Sequence, residues 1–266
     1  MNHRPKLKIA MKNKYLLLLL FFSCGLEEVG YLENPTINPG PSLQLYQLEG
    51  RLVWDIPKKY FDDNSSFEGF DLYYKIQSPS DGQNILTDNT ALLTAEPPSS
   101  TSKLKNQLLY TPISQGQYEQ RSPHILITDK TKGYKFSIDF SAYQLNLSEE
   151  RPNIIPAVKI FDYSTDMSDV SSVPLSQIPI YRGVRINDKN EYKSFGLLFD
   201  VDKSREAPLE IPTATGNGIT TEKLLTDNNL IEISFYIVSL GFDTNTFETL
   251  ESTPVPIGTI KELKIR

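Results

Sequence analysis

The chain has 266 residues, with 27 Lys and Arg against 33 Asp and Glu, a formal net charge of −6 and one cysteine. An acidic balance argues against nucleic acid, because a phosphate backbone needs a basic footprint. A single cysteine rules out an intrachain disulfide, so stability has to come from a packed core in one large domain or two small ones.

The first 23 residues read as a secretory signal. Arg4, Lys6, Lys8, Lys12 and Lys14 come with no acid, and residues 15–22 are an unbroken apolar run. Eight helical residues span about 12 Å against roughly 30 Å of hydrocarbon, too short to cross a bilayer but sufficient for a signal peptide. Met11 begins a complete short signal of its own, so Met1 and Met11 both stand as candidate starts.

The run ends in Phe21-Phe22-Ser23-Cys24-Gly25. This segment resembles the lipobox of bacterial lipoproteins, and Phe21 in place of the usual Leu is similar to the looser lipoboxes of spirochaetes. The resemblance implies cleavage before Cys24, a diacylglycerol with palmitate-type chains on its thiol, and attachment to a membrane. Gly25 stands where Asp would hold an enteric lipoprotein at the inner membrane, which implies the outer membrane or cell surface. A mature chain from Cys24 loses those five basic residues and keeps 22 against 33 acids, a formal charge of −11. Such a body is repelled by anionic lipid and leaves anchoring to the acyl chains.

Residues 24–42 carry Pro35, Pro39 and Pro41 with Gly30 and Gly40 and read as a flexible, semi-extended spacer. From residue 43 the pattern is that of strands. Leu52, Trp54 and Ile56 share one face of an alternating segment, and Phe70 to Ile76 alternates with period two. Residues 77–120 are polar and proline-marked and predict loops, with short strand candidates at 85–86 and 108–110. Further strands are predicted at 125–128, 134–140, 154–163, 175–180, 183–186, 192–201, 231–240 and 256–263. Helical turns are predicted only at 146–151 and 220–226.

The expected class is mainly β, a sandwich of short strands. Leu52-Val53-Trp54-Asp55-Ile56-Pro57 followed by Gly69 to Ile76 resembles the B and C strands of a fibronectin type III domain. Residues 157–163 and 171–175 resemble that family's F strand and its approach to G. The resemblance implies a fibronectin- or immunoglobulin-like β-sandwich over 43–180 with a long insertion. Residues 181–266 then form either a second β unit or extra strands of the same sandwich.

Little in the chain points to catalysis. After processing, His124 is the remaining histidine, no Gly-x-Ser-x-Gly elbow accompanies it, and it reads as an ordinary surface or edge residue. Thr215-Gly216-Asn217-Gly218 is a turn without the strand-to-helix setting of a phosphate site. Two acidic groups, Asp162, Asp166 and Asp169, and Asp200, Asp202 and Glu206, read as solvated loops and lack the EF-hand pattern that calcium uses. Tyr73 and Tyr74 are adjacent, so one should enter the core while the other faces water or a partner.

No cofactor, metal or catalytic residue is expected. The leading expectation is a non-enzymatic lipoprotein with Cys24 as its lipidation site and a protein partner. The alternatives are a carbohydrate-binding or carbohydrate-cleaving surface module, and a structural part of an envelope assembly.

Overall fold

A computed structural model describes residues 32–35, 37, 51–79, 85–92, 99–114, 124–140, 156–167, 171–182 and 230–264. All of them belong to one compact unit, Leu32–Arg266. Cys24 and the signal, the strands predicted at 183–186 and 192–201, and the helical turns predicted at 146–151 and 220–226 lie outside the described residues. Among the described residues no helix is long and apolar enough to cross a membrane.

The fold is mainly β. Strand β1 (Arg51–Ile56) buries Leu52, Trp54 and Ile56 and leaves the alternate positions half-exposed, as period-two patterning dictates. It pairs antiparallel with β5 (Tyr134–Asp139), which pairs with β6 (Ala157–Asp162), which pairs with β7 (Ser176–Pro179). These four make the smaller sheet.

The larger sheet is built on β2 (Phe67–Gln77) and β9 (Leu230–Asp243), which run antiparallel over nearly the whole of β2. The outer edge of β9 is shared by β10 (Glu248–Glu251) and β11 (Val255–Lys264). The opposite edge of β2 is shared by β3 (Thr111–Ser114) and β4 (Ile125–Leu126), and β8 (Tyr181–Arg182) pairs beyond β3. Residues 230–264 lie in the part of the chain whose organisation the sequence left open; β9 pairs directly with a strand that begins at Phe67, and β10 and β11 join the same sheet through β9. Residues 157–162, which resemble an F strand and would then neighbour β2, instead lie in the smaller sheet beside β5.

The inward faces of the two sheets meet in one core. Leu52, Trp54, Phe136, Ile138 and Val158 come from the smaller sheet and Phe70, Leu72, Tyr74, Phe235 and Ile237 from the larger. A register shift between Phe67 and Gly69 rotates the start of β2, so Phe67 and Phe70 both enter this core and sit 4.7 Å apart by ring centroids. The sheets curl toward each other along one side, where the chain passes from β7 to β8 through buried Ile180. Near β1, Gly258 (φ +151°) interrupts the β11 register, and a Cβ there would come within 3.1 Å of Leu52 Cδ2.

Three helices depart from the expected loops. Helix α1 (Lys58–Asp63) follows Pro57, turns Tyr60 and Phe61 inward and ends at Asn64. Helices α2 (Ile85–Leu92) and α3 (Ser99–Asn106) replace the strand and loops predicted at 85–106, and Leu109, in the 108–110 strand candidate, has φ +61°. Neither helix has an apolar stripe visible in sequence. Tertiary contact stabilises them: Ile85, Leu92 and Leu104 pack with Tyr73, Tyr110, Tyr236 and Val238 on the outer face of the larger sheet. Tyr73 and Tyr74 are consequently both buried, against the expectation that one would face water or a partner.

The spacer expected at 24–42 is docked where it is described. Leu32 is buried in the main core, the Glu33 N–H donates to Asn64 Oδ1 at 2.9 Å, and the Thr253 N–H donates to Asn34 Oδ1 at 3.0 Å.

Candidate functional site

The larger sheet carries a buried polar cluster beneath α2 and α3. Lys75 on β2 and Ser234 on β9 are cross-strand partners, and Thr259 on β11 is the partner of Ser234, so the three form a row across the sheet. Ser234 Oγ and Thr259 Oγ1 are 2.8 Å apart and buried. Asp88 closes the cluster from α2: its Oδ2 lies 3.6 Å from Lys75 Nζ and accepts a hydrogen bond from the Tyr110 hydroxyl at 2.9 Å. Tyr236 donates to the Ile85 carbonyl at 3.1 Å and meets Tyr110 edge-on, with ring centroids 4.9 Å apart.

The electrostatics favour a fixed network. Burial, and then the nearby Asp88 charge, push the Tyr110 and Tyr236 hydroxyls far above their ordinary range, so both stay protonated and act as donors. Lys75 also lies over the Tyr110 ring, 5.4 Å from its centroid. A Lys beside a Ser could activate a hydroxyl nucleophile. Here the Lys is paired with Asp88, the Ser is paired with Thr259, and both lie beneath the helices. The arrangement fastens the helical layer to the sheet. Sequence reasoning missed it because a Lys in the middle of an alternating strand reads as a solvent-facing residue; the available signal was Tyr73, two residues earlier on the same face.

The other sequence-derived candidates are not brought together. His124 is buried just before β4, which pairs with β2 at that edge of the sheet, so of the surface or edge positions expected for it the surface one does not hold. Its N–H donates to Asp71 Oδ1 on β2 at 2.9 Å. Burial pushes its ring down to about 4, partly offset by the Pro179 carbonyl of β7. Asp162 caps a turn through the Ser164 N–H and hydroxyl, at 3.1 and 2.8 Å, and pairs with Lys132 at 3.2 Å. These bonds hold its carboxyl down at about 2. The Asp166 carbonyl accepts from Ser172 Oγ, whereas Asp169, Asp200, Asp202, Glu206 and residues 215–218 lie outside the described residues. Among the described residues no group of three or more His, Cys, Asp or Glu is placed to hold a metal ion. Trp54, the ring best suited to a sugar platform, is in the core.

His124 makes a pH prediction. A ring whose folded value lies below its unfolded value of about 6.5 stabilises the fold above that pH and loses its contribution as pH falls toward 4. The loss should be roughly 3 kcal/mol across that window. Asp71, pushed up by burial, acts in the opposite sense as it takes up a proton. Urea unfolding at pH 7, 5.5 and 4 checks this, and His124→Gln should flatten the dependence; an equally steep fall in that variant would assign it to other groups.

Neither a family model nor a curated protein nor a solved structure matches this chain.

Proposed function

We propose that the protein is a lipid-anchored binding protein of a bacterial envelope, tethered through a diacylglycerol on Cys24 and presenting a sandwich body to a protein partner. The observation that carries this reading is the basic start, the apolar run at 15–22 and Ser23-Cys24, with that cysteine the only one in the chain. The outer membrane or cell surface is the compartment that Gly25 favours.

The body is read as an immunoglobulin- or fibronectin-like sandwich. Support comes from strand order: β1 pairs with β5 in one sheet, and β2 pairs with β9 and β9 with β11 in the other. These are the B–E and C–F–G pairings of that architecture. The F and G roles then pass from 157–175 to β9 and β11, with β6 and β7 as additions to the smaller sheet. A protein partner is favoured by apolar side chains that the core leaves outside, among them Val173 (85 % exposed) and Leu175 (56 %) in the loop before β7.

Replacing Cys24 with Ala should abolish fatty-acid labelling and move the protein from the membrane to the soluble fraction. Unchanged labelling, or unchanged retention after detergent-free washing, would refute the anchor.

A further inference from the structure

The hairpin that joins β9 to β10 exposes an aromatic residue at a cost to the fold. Phe247 is 78 % exposed and has φ +59°, a left-handed conformation in which hairpins of this length ordinarily place Gly or Asn. Its N–H donates to the Asp243 carbonyl at 2.8 Å, and the Asn245 N–H donates to Asp243 Oδ1 at 2.8 Å, so the turn holds the ring out. The ring meets Phe242 edge-on with centroids 6.4 Å apart, yet most of it stands in water on a backbone that Asn would adopt at less cost.

The position of the tip gives the ring a destination. Asn34 bonds to Thr253, which follows β10, while Leu32 lies where a Cβ on Gly241 would approach its Cδ1 to 3.0 Å. Traced backward from Asn34 to Leu32, the chain runs along β9 toward the 243–248 tip. Eight residue steps separate Cys24 from Leu32, at most about 29 Å when fully extended. From Gly241, the level at which Leu32 sits, the tip begins two residues on at Asp243, whereas Leu230 at the far end of β9 is eleven residues away, about 37 Å. A lipid on Cys24 is therefore within reach of the tip, and the far end of β9 lies beyond that reach.

We infer that Phe247 is a second membrane contact, inserting into the interface of a zwitterionic bilayer beside the lipid anchor. This rests on the lipidation reading of Cys24. The tip itself carries Asp243 and Glu248 and no basic residue. Behind it Lys130 reaches the Ser65 carbonyl, and Lys58, Lys59 and Lys132 are each paired with an acid, a near-neutral balance that suits a neutral surface better than an anionic one. Tyr163, 37 % exposed, lies just past the β6 end that pairs with the start of β5, at the same end of the sheets, and suits the headgroup level.

The test uses the full lipidated chain in phosphatidylcholine vesicles with Phe247→Trp. Buried Trp54 supplies a constant background. The new indole should shift to the blue, lose about half its emission to brominated acyl chains, and be quenched by iodide roughly twofold less than in the unanchored Cys24→Ala form. If the protein floats with the vesicles but the indole stays fully open to iodide and blind to bromolipid, the tip inference is overturned and the anchor stands. If the protein does not float, both fall. Phe247→Asn should melt at an unchanged or higher temperature; a lower one would show that the ring serves the fold through Phe242 and would also overturn the inference.

Discussion

Truncation of Trp54 to Ala is expected to lower the unfolding free energy by about 3–5 kcal/mol. The indole is 1 % exposed and stacks on Phe136, its cross-strand partner on β5, with centroids 5.3 Å apart and planes 11° from parallel. Removing it deletes apolar area that folding takes out of water, at about 25 cal/mol per Å², and leaves a void between two sheets that strand pairing prevents from collapsing. A domain of ordinary stability, about 5–15 kcal/mol, would be left marginal. Circular dichroism in a urea titration measures the loss, and Trp54→Phe should recover most of it. An Ala variant within 1 kcal/mol of the parent would place the ring outside the core.

Replacing Lys75 alone with Met is expected to cost about 3–5 kcal/mol, since it strands the Asp88 carboxylate under α2 with the Tyr110 hydroxyl and no counter-charge. The double replacement Lys75→Met with Asp88→Leu should recover most of that loss or exceed the parent, because neither desolvated charge then remains. A double-mutant cycle measures the coupling. Hydrogen exchange over residues 85–106 should rise in the single variant before the rest of the fold loosens. Additive effects of the two changes would mean that the pair does not hold the helices.

Strands with one apolar face were legible in the sequence. Leu52, Trp54 and Ile56 on β1 predicted both the element and its buried side, whereas the alternation along β9 predicted the element but not that residues 233–239 are buried on both faces. The helical layer was not legible. α3 contributes Leu104 with Ser100 and Thr101 to its buried side, a face too polar to register as amphipathic, and α1 is six residues long. Its effect spread to other positions: Tyr73 and Tyr74 are both buried where one was expected to face water or a partner, and Lys75 is held in an ion pair with Asp88. His124 was misplaced for a related reason, since its burial depends on β2 and β7, which are distant in sequence. The resemblance to a B and C strand pair placed β1 and β2 in opposite sheets, but the partner of β2 lay beyond residue 229. For the site, the signal for Cys24 is chemical and local, whereas the polar cluster exists only once α2 is folded onto the sheet.

The pairing of β2 with β9 also sets an order on events. Leu72 and Ile237 are register partners 165 residues apart. The two longest-paired strands of the larger sheet cannot meet until almost the whole chain is available, and closing so large a loop comes before any reward from the contact. A nascent chain stopped short of residue 230 can pair β2 with β3 and β4 on one edge, but the edge that β9 covers along Phe70, Leu72, Tyr74 and Ile76 stays open. On the proposed lipoprotein reading, that late pairing suits export, which requires an extended chain. A product truncated before β9 would leave that edge of β2 open, a substrate for proteases and for aggregation.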